Sequence, residues 1–204
     1  MTKKYELVLD DTISFCGWKL FRIRALISFG SVEVGDLGGY IQKEENLSHD
    51  GNAWVYGNAK VYGNAEVYGN AEVWGDAEVW GNAEVWGNAK VYGNAEVSGN
   101  AEVWGDAKVY GNAEVWGNAK VWGDAKVWGN AKVSELGDII VFKNHWSSGR
   151  HFTYTKSNKM WKVGCFYGTG QELIEKAYRD SEKSGNYYKA YVDFVETLER
   201  LSEE

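Results

Sequence analysis

The sequence predicts a mainly β protein whose central part is a parallel β-solenoid. From Gly51 to Ser134 the chain consists of consecutive six-residue units, fourteen in all, without an insertion or a deletion. Each unit follows the pattern Gly-(Asn/Asp)-Ala-x-Val-(Tyr/Trp/Ser), in which polar and apolar positions alternate as they do in a strand. A four-residue strand buries its inner face only when further strands stack on it, so the repeat predicts a chain that coils on itself.

Each position of the unit has a predicted place in such a coil. Alanine and valine should face inward, while the residues between and after them should face outward. The Gly-Asn pair should turn the corner, because both residues tolerate left-handed backbone angles. The chain has 25 glycines and no proline, which fits many ordered turns of this kind. Asparagine side chains stacked along the corners are expected to form hydrogen-bonded ladders.

Residues 1–50 are predicted to form an N-terminal β cap and a first irregular coil, ahead of the repeat domain at 51–134. The segments "KYELVLD" and "WKLFRIRALISF" predict two strands around a turn near Asp10–Gly17. Ile41, Leu47 and Ala53 are six residues apart, which indicates that coiling begins before the regular repeat. Such a cap would cover the unpaired backbone groups at the open end of the first coil.

Residues 135–204 are predicted to form a small α+β module. The segments "DIIVF", "HFTYTKS" and "KMWKVGCF" predict strands, the last two joined as a hairpin across Ser157–Lys159. Thr169 and Glu172 form a capping-box pattern, so a helix should begin there, run to about Lys183 and end at Gly185. A second helix should follow. Its predicted apolar face consists of Tyr187, Tyr191, Phe194, Leu198 and Leu201.

The repeat V-[YW]-G-N-A-[EK] resembles the hexapeptide repeat of left-handed parallel β-helices. That resemblance implies three units in each triangular coil, and therefore between four and five coils in this chain. The segments "LFRIRAL", "GDLGGYIQKEENLSHDGNAWVYGNA" and "GCFYGT" are similar to YdcK-like hexapeptide proteins of bacteria, phages and prophages. The resemblance implies a phage or prophage origin. The transferase and polymer-forming labels of such proteins rest on the repeat and bring no catalytic residue to this chain.

If residues 18 apart stack, the last position of each unit forms three columns. The first column is Tyr56, Trp74, Tyr92, Tyr110 and Trp128. The second column is Tyr62, Trp80, Ser98, Trp116 and Ser134. The third column is Tyr68, Trp86, Trp104 and Trp122. Because alanine and valine fill the interior, the rings should lie outside and stack about 4.8 Å apart. Stacking would stabilise the coil, and an exposed aromatic surface of this size is typical of interfaces.

These columns predict a non-enzymatic binding or scaffold protein. The third column has no serine gap and is the predicted contact face, with the first column as a further interface. We expect self-association as a dimer or trimer, or binding to a bacterial host protein that is thereby inhibited. We expect no catalytic residue, metal or cofactor. The segment "MTKKYELVLD" has no apolar core of the signal-peptide type, and no apolar run is long enough to span a membrane, so we expect a location in the bacterial cytoplasm without a membrane partner.

An acyltransferase with a site between subunits is the first alternative. The hexapeptide acyltransferases that the repeat resembles use a histidine near such a cleft, whereas the repeats here contain none and His49, His145 and His151 flank them. Cys165 beside His145 or His151 could form a thiol–imidazole pair. A buried structural cysteine is the favoured interpretation of Cys165, and likewise of Cys16.

Nucleic-acid binding is the second alternative. The basic residues Lys143, Arg150, Lys156, Lys159 and Lys162 occur without an acid among them. Aromatic residues are interleaved with them, namely Trp146, Phe152, Tyr154 and Trp161. Such a mixture can bind phosphates and stack on bases. The favoured interpretation is a solvated hairpin face whose aromatic rings pack against the two helices, and the net charge of −7 argues against a general nucleic-acid binder.

Overall fold

The computed structural model describes residues 3–202 and divides into two compact units that meet in the chain after Asp138. The first unit opens with β1 (Tyr5–Phe15), β2 (Trp18–Ala25) and β3 (Leu37–Ile41), followed by a short 3-10 helix at Glu44–Asn46. The unit is mainly β, as the sequence predicts.

The solenoid of the first unit consists of short parallel strands. Within the described residues they are β4 (Trp54–Val55), β5 (Lys60–Val61), β6 (Glu66–Val67), β7 (Glu72–Gly75), β8 (Glu78–Val79), β9 (Glu84–Val85), β10 (Lys90–Gly93), β11 (Glu96–Val97), β12 (Glu102–Val103), β13 (Lys108–Gly111), β14 (Glu114–Val115), β15 (Lys120–Val121), β16 (Lys126–Val127) and β17 (Lys132–Val133). Consecutive strands belong to three different sheets, and each strand from β4 to β14 pairs with the one three places later. Val73, Val91 and Val109 are thus directly paired, 18 residues apart. The solenoid makes about five turns.

The interior and the corners of the solenoid confirm the predicted role of each repeat position. All alanines and valines of the repeat are completely buried. The glycines from Gly51 to Gly129 have φ between 59° and 80°, which is the left-handed region expected for the turn. Ladders of asparagine run along the corners. In one of them each side-chain amide donates to the next at 3.0–3.2 Å, through Asn64, Asn82, Asn100 and Asn118.

The N-terminal strands extend one of the solenoid sheets. β1 and β2 form an antiparallel hairpin, β2 pairs with β3, and β3 pairs in parallel with β5. The turn between β1 and β2 lies at Cys16 and Gly17, with φ of 47° and 82°. The predicted turn over Asp10–Gly17 was therefore too wide. A register shift between Val8 and Thr12 accommodates the two aspartates inside β1, so the strand continues to its end at Phe15.

The side chain of Asn46 joins the irregular segment to the solenoid. It is completely buried. Its amide nitrogen donates to the backbone carbonyls of Gly63 and Ala65, at 3.2 and 2.8 Å. Its oxygen accepts from the backbone N–H groups of Gln42 and Lys43, at 3.1 and 3.0 Å. One side chain thus bonds to four backbone groups beside the end of β3. Of these, the Gln42 N–H also donates to the Val61 carbonyl, at 3.1 Å.

The second unit is an antiparallel sheet with two helices. The strands are β18 (Ile139–Lys143), β19 (His151–Thr155), β20 (Met160–Val163) and β21 (Phe166–Gly168), in that order across the sheet, and the helices are α1 (Gly170–Asp180) and α2 (Glu182–Leu201). The predicted capping box is confirmed, since the Glu172 N–H donates to the Thr169 hydroxyl and the Thr169 N–H donates to the Glu172 carboxylate. Of the helices described between residues 3 and 202, none has the length and apolar character needed to cross a membrane.

The helix boundary predicted from Gly185 was wrong. Helix α1 ends at Asp180, and Ser181 has an extended backbone whose hydroxyl accepts from the Ser184 N–H and caps α2. Gly185 lies inside α2, where a Cβ atom would stand 2.2 Å from the Tyr178 ring. This glycine therefore permits close approach of the two helices and does not end either of them.

The predicted apolar face of α2 was wrong in part, since of its members Tyr191 packs against the core but the buried residues lie elsewhere on the helix. The helix buries Gly185, Tyr188, Val192 and Val195. Within the predicted face, Phe194 is 50% exposed. Helix α2 carries two apolar stripes, and the stripe that contains Gly185 is the one that can pack closely against α1. The hydrophobic period alone does not distinguish between the two stripes.

Candidate interaction faces of the solenoid

The third column is a continuous stack of four rings. Tyr68 and Trp86 have ring centroids 5.5 Å apart, Trp86 and Trp104 are 4.9 Å apart, and Trp104 and Trp122 are 5.5 Å apart. The first two pairs lie within 3° of parallel and the last at 16°. Inner rings of the stack cover each other's faces, so it is chiefly their edges that solvent can reach. Trp122 at the end of the stack is 44% exposed.

The first column stacks in the same way over four of its five members. The centroid distances are 4.5 Å from Trp74 to Tyr92, 4.7 Å from Tyr92 to Tyr110 and 5.1 Å from Tyr110 to Trp128. Tyr56 instead places its hydroxyl 3.1 Å from the Ser31 hydroxyl. The predicted arrangement of stacked rings outside the alanine and valine interior is confirmed for the third column and for four of the five members of the first column.

The second column is shorter and partly covered. Tyr62 is buried, with the Phe15 ring of the N-terminal hairpin 5.9 Å away in an edge contact. Ser98 and Ser134 interrupt the aromatic residues further along. The N-terminal hairpin therefore belongs to the face that contains the second column, and the first and third columns are the long aromatic surfaces.

Charged residues form a ladder beside each long column. Beside the third column the ladder reads Glu66, Glu84, Glu102 and Lys120, with directly paired backbones. Beside the first column it reads Glu72, Lys90, Lys108 and Lys126. We call these the third face and the first face, each together with its column. Summed over the four residues of its ladder, the third face has a net charge of −2 and the first face a net charge of +2.

Some of these charges are satisfied within the face. The Lys120 ammonium lies 2.9 Å from the Glu102 carboxylate, and Lys90 lies 2.8 Å from Glu72. The Tyr68 hydroxyl donates to Glu84 at 2.8 Å, and burial, followed by this hydrogen bond, raises the pKa of Tyr68. Tyr68 therefore stays a neutral donor over the physiological pH range.

His49 and His145 have partners in their own units. The His49 ring stacks on Tyr5 at 4.3 Å, and its Nδ1 accepts from the Lys4 N–H at 3.2 Å. His49 thus helps hold the N-terminal strand. His145 lies in the second unit, with its Nδ1 3.3 Å from the Tyr191 hydroxyl.

The cysteines are not buried, contrary to the prediction. Cys16 is exposed in the turn between β1 and β2. Cys165 is exposed in the turn between β20 and β21. The segment predicted as one strand breaks there, because Gly164 adopts a φ of 56°. Both thiols therefore lie at tight turns, where no core surrounds them.

The basic segment of the second unit is not one exposed surface. Trp161 is buried in the core beside Phe152 and Tyr154, and Lys162 is buried as well. These two residues are therefore removed from the predicted nucleic-acid contact. The remaining members are exposed, namely Lys143, Arg150, Lys156 and Lys159. The Lys159 ammonium lies 3.6 Å from the Glu199 carboxylate.

The charge ladder of the first face is the feature that sequence reasoning missed. Its signal was present, because Lys90, Lys108 and Lys126 have the same 18-residue spacing as the aromatic residues.

Comparison with known proteins finds no family model that matches this chain and no curated protein that matches it.

Proposed function

We propose that this protein is a non-enzymatic scaffold that associates with itself through the third face. The observation that carries the proposal is the unbroken stack of Tyr68, Trp86, Trp104 and Trp122 on a rigid ladder of paired strands. Tryptophan and tyrosine contribute much of the binding energy in protein interfaces. Rings already held in a stack lose little conformational freedom on binding, which favours association.

The regularity of the support strengthens the proposal. Each ring follows a valine that is completely buried. Val85 and Val103 each pair with valines on both sides, and Val67 and Val121 pair with them at the two ends. The ring edges are therefore held at fixed spacing along the solenoid. Such a surface suits a partner with the same spacing, and a second copy of this chain has it.

The test is sedimentation velocity over a concentration series. Changing Trp86, Trp104 and Trp122 together to serine should shift the wild-type assembly to monomer. Serine is a suitable replacement because Ser98 and Ser134 occupy the same position of the repeat in the second column. Lost stacking should cost the fold roughly 0.5–1.5 kcal/mol for each ring contact, so circular dichroism must show that the variant remains folded.

The matched control changes Trp80 and Trp116 of the second column to serine. This variant loses exposed aromatic area at the same repeat position on another face, and it should associate as the wild type does. A wild-type protein that stays monomeric at all concentrations would refute the proposal. So would a third-column variant that associates normally.

We also propose that the solenoid is a left-handed hexapeptide-repeat β-helix of the YdcK-like kind, of phage or prophage origin. The support is the six-residue sequence period together with strand pairing 18 residues apart. An experimentally determined structure with a right-handed coil would contradict this assignment.

A further inference from the structure

Both long faces of the solenoid concentrate charge of one sign. On the third face, Glu66, Glu84 and Glu102 occupy directly paired positions. On the first face, Lys90, Lys108 and Lys126 do the same. Neighbouring strands are about 4.8 Å apart, and like charges directly opposite each other destabilise a sheet. A partner of opposite charge would relieve this repulsion on each face.

The ion pairs within each face leave much of this charge uncompensated. Within the part of the chain that the structure describes, Glu66, Glu84 and Lys108 form no ion pair. Glu66 is also exposed. A surface that approached the third face would therefore meet carboxylates, and one that approached the first face would meet an ammonium group.

The two ladders are complementary when one is read backward. Along the chain, the third face reads Glu, Glu, Glu, Lys, and the first face reads Glu, Lys, Lys, Lys. Read in reverse, the first face gives Lys, Lys, Lys, Glu. Each of these residues then faces a residue of opposite charge on the third face. The spacing also matches, because both ladders advance by one turn of the same solenoid. With parallel axes in the same register, only two of the four positions would be complementary.

The same antiparallel arrangement also brings the aromatic columns together. A second copy placed face to face with its axis reversed is turned by 180° about the strand direction. That rotation leaves the order along each strand unchanged, so the charge ladder faces the charge ladder and the column faces the column. With parallel axes the strand direction reverses, and each ladder would face the aromatic column instead.

We therefore propose that the third face binds the first face of a second copy, with antiparallel solenoid axes. This inference rests on the proposed function and specifies the partner surface for the third column. The pairs are Glu66 with Lys126, Glu84 with Lys108, Glu102 with Lys90, and Lys120 with Glu72. The contact is heterologous, so each added copy leaves one first face and one third face available for further growth.

A charge-exchange experiment tests this pairing. The variant with Lys90→Glu and Lys108→Glu gives the first face the native pattern of the third face. The variant with Glu84→Lys and Glu102→Lys gives the third face the native pattern of the first face. Both new ladders already occur elsewhere in the same solenoid, so each variant should fold. When either variant associates with itself, like charges face each other at two of the four positions of the contact. In a mixture, the third face of one variant meets the first face of the other with all four pairs of opposite charge.

Sedimentation velocity at low salt should show self-association weakened about 10-fold or more for each variant alone. An equimolar mixture should associate within about threefold of the wild type, and added salt should weaken the wild type by screening. The variants have net charges of −11 (−7 − 4) and −3 (−7 + 4), both negative, so general attraction between them does not explain recovery. The second face is the second column with its adjacent charge ladder, which includes Glu96 and Glu114. A control with Glu96→Lys and Glu114→Lys on this face also has a charge of −3 (−7 + 4) and should associate normally.

Either variant associating alone as the wild type does would overturn the inference, and so would a mixture no better than its components. These failures are distinct from failure of the proposed function. If serine at the third column abolishes association while the charge variants do not, the third face is an interface whose partner is not the first face. If serine at the third column has no effect, the proposed function fails.

Discussion

Replacing Gly87 by alanine is expected to destabilise the solenoid by about 2–4 kcal/mol. Gly87 has a φ of 70°, where a Cβ atom is strained by about 1–2 kcal/mol. The added Cβ would also stand 2.9 Å from the Gly105 nitrogen of the next turn. That turn is held closely, because the Asn88 N–H donates to the Gly105 carbonyl at 2.8 Å. The methyl group must therefore push two hydrogen-bonded turns apart.

The matched control is Gly123→Ala. Gly123 has a similar φ of 62°, but a Cβ atom there would meet no atom within 4 Å. Gly123→Ala should lower the free energy of unfolding only by the cost of backbone strain, about 1–2 kcal/mol. The difference in free energy of unfolding between the two variants then measures the packing of one turn on the next. Urea unfolding followed by tryptophan fluorescence is suitable, because of the eleven tryptophans only Trp146 and Trp161 lie in the second unit, leaving nine in the first. Equal costs for the two variants would contradict the close stacking of turns.

Replacing Asn46 by alanine is expected to cost about 3 kcal/mol or more. The change leaves the carbonyls of Gly63 and Ala65 and the Lys43 N–H without their side-chain partner, while the Gln42 N–H keeps its bond to the Val61 carbonyl. Each buried backbone group left unsatisfied costs about 1–3 kcal/mol, and water that enters the site will recover part of that. The effect should appear as a lower midpoint of urea unfolding, since the cap and the first turn are joined at this residue.

Two controls separate hydrogen bonding from general sensitivity to substitution. Asn82→Ala removes an exposed ladder amide and should cost less than about 1 kcal/mol. Asn46→Asp keeps the size and the acceptor of the side chain but cannot donate to Gly63 and Ala65 when ionised. It should therefore be at least as unstable as Asn46→Ala at neutral pH. If Asn46→Ala and Asn82→Ala cost the same, Asn46 does not hold the cap in this way.

The repeat region was predictable because its interactions recur at fixed spacing. A buried valine, a left-handed glycine and an outward ring each occur once in every unit, so one assignment carries over to the next turn. The aromatic columns could be predicted from the 18-residue spacing of the repeat. The same spacing also indicates the paired charges of the first face.

The flanking regions were less predictable because their interactions do not recur. Asn46 bonds to carbonyls 17 and 19 residues away, and nothing in the sequence around it signals that distance. Tyr62 occupies a regular repeat position, yet Phe15 covers it from a hairpin outside the repeat. Gly185 looked like a helix end, but its role depends on the approach of Tyr178 from another helix. Each of these features depends on a tertiary contact that local pattern does not encode.

The proposed interaction surfaces are whole columns and not single repeats. Trp80 and Trp86 are the last residues of consecutive repeats, yet they belong to different columns and stack on different partners. A substitution in one repeat therefore changes one face only. Each face can therefore be tested independently. Each has one tryptophan of similar exposure that can report on its burial, namely Trp122, Trp74 and Trp80.

Hydroxyl-radical footprinting across the association range tests the central claim most directly. Trp122 on the third face is 44% exposed, Trp74 on the first face 40%, and Trp80 on the second face 37%, so they should oxidise at comparable rates in the monomer. As the protein concentration rises, oxidation of Trp122 should fall several-fold while that of Trp80 stays constant. Trp74 should be protected together with Trp122 if the first face is the partner surface. Constant oxidation of Trp122, or equal protection of Trp80, would contradict self-association through the third face.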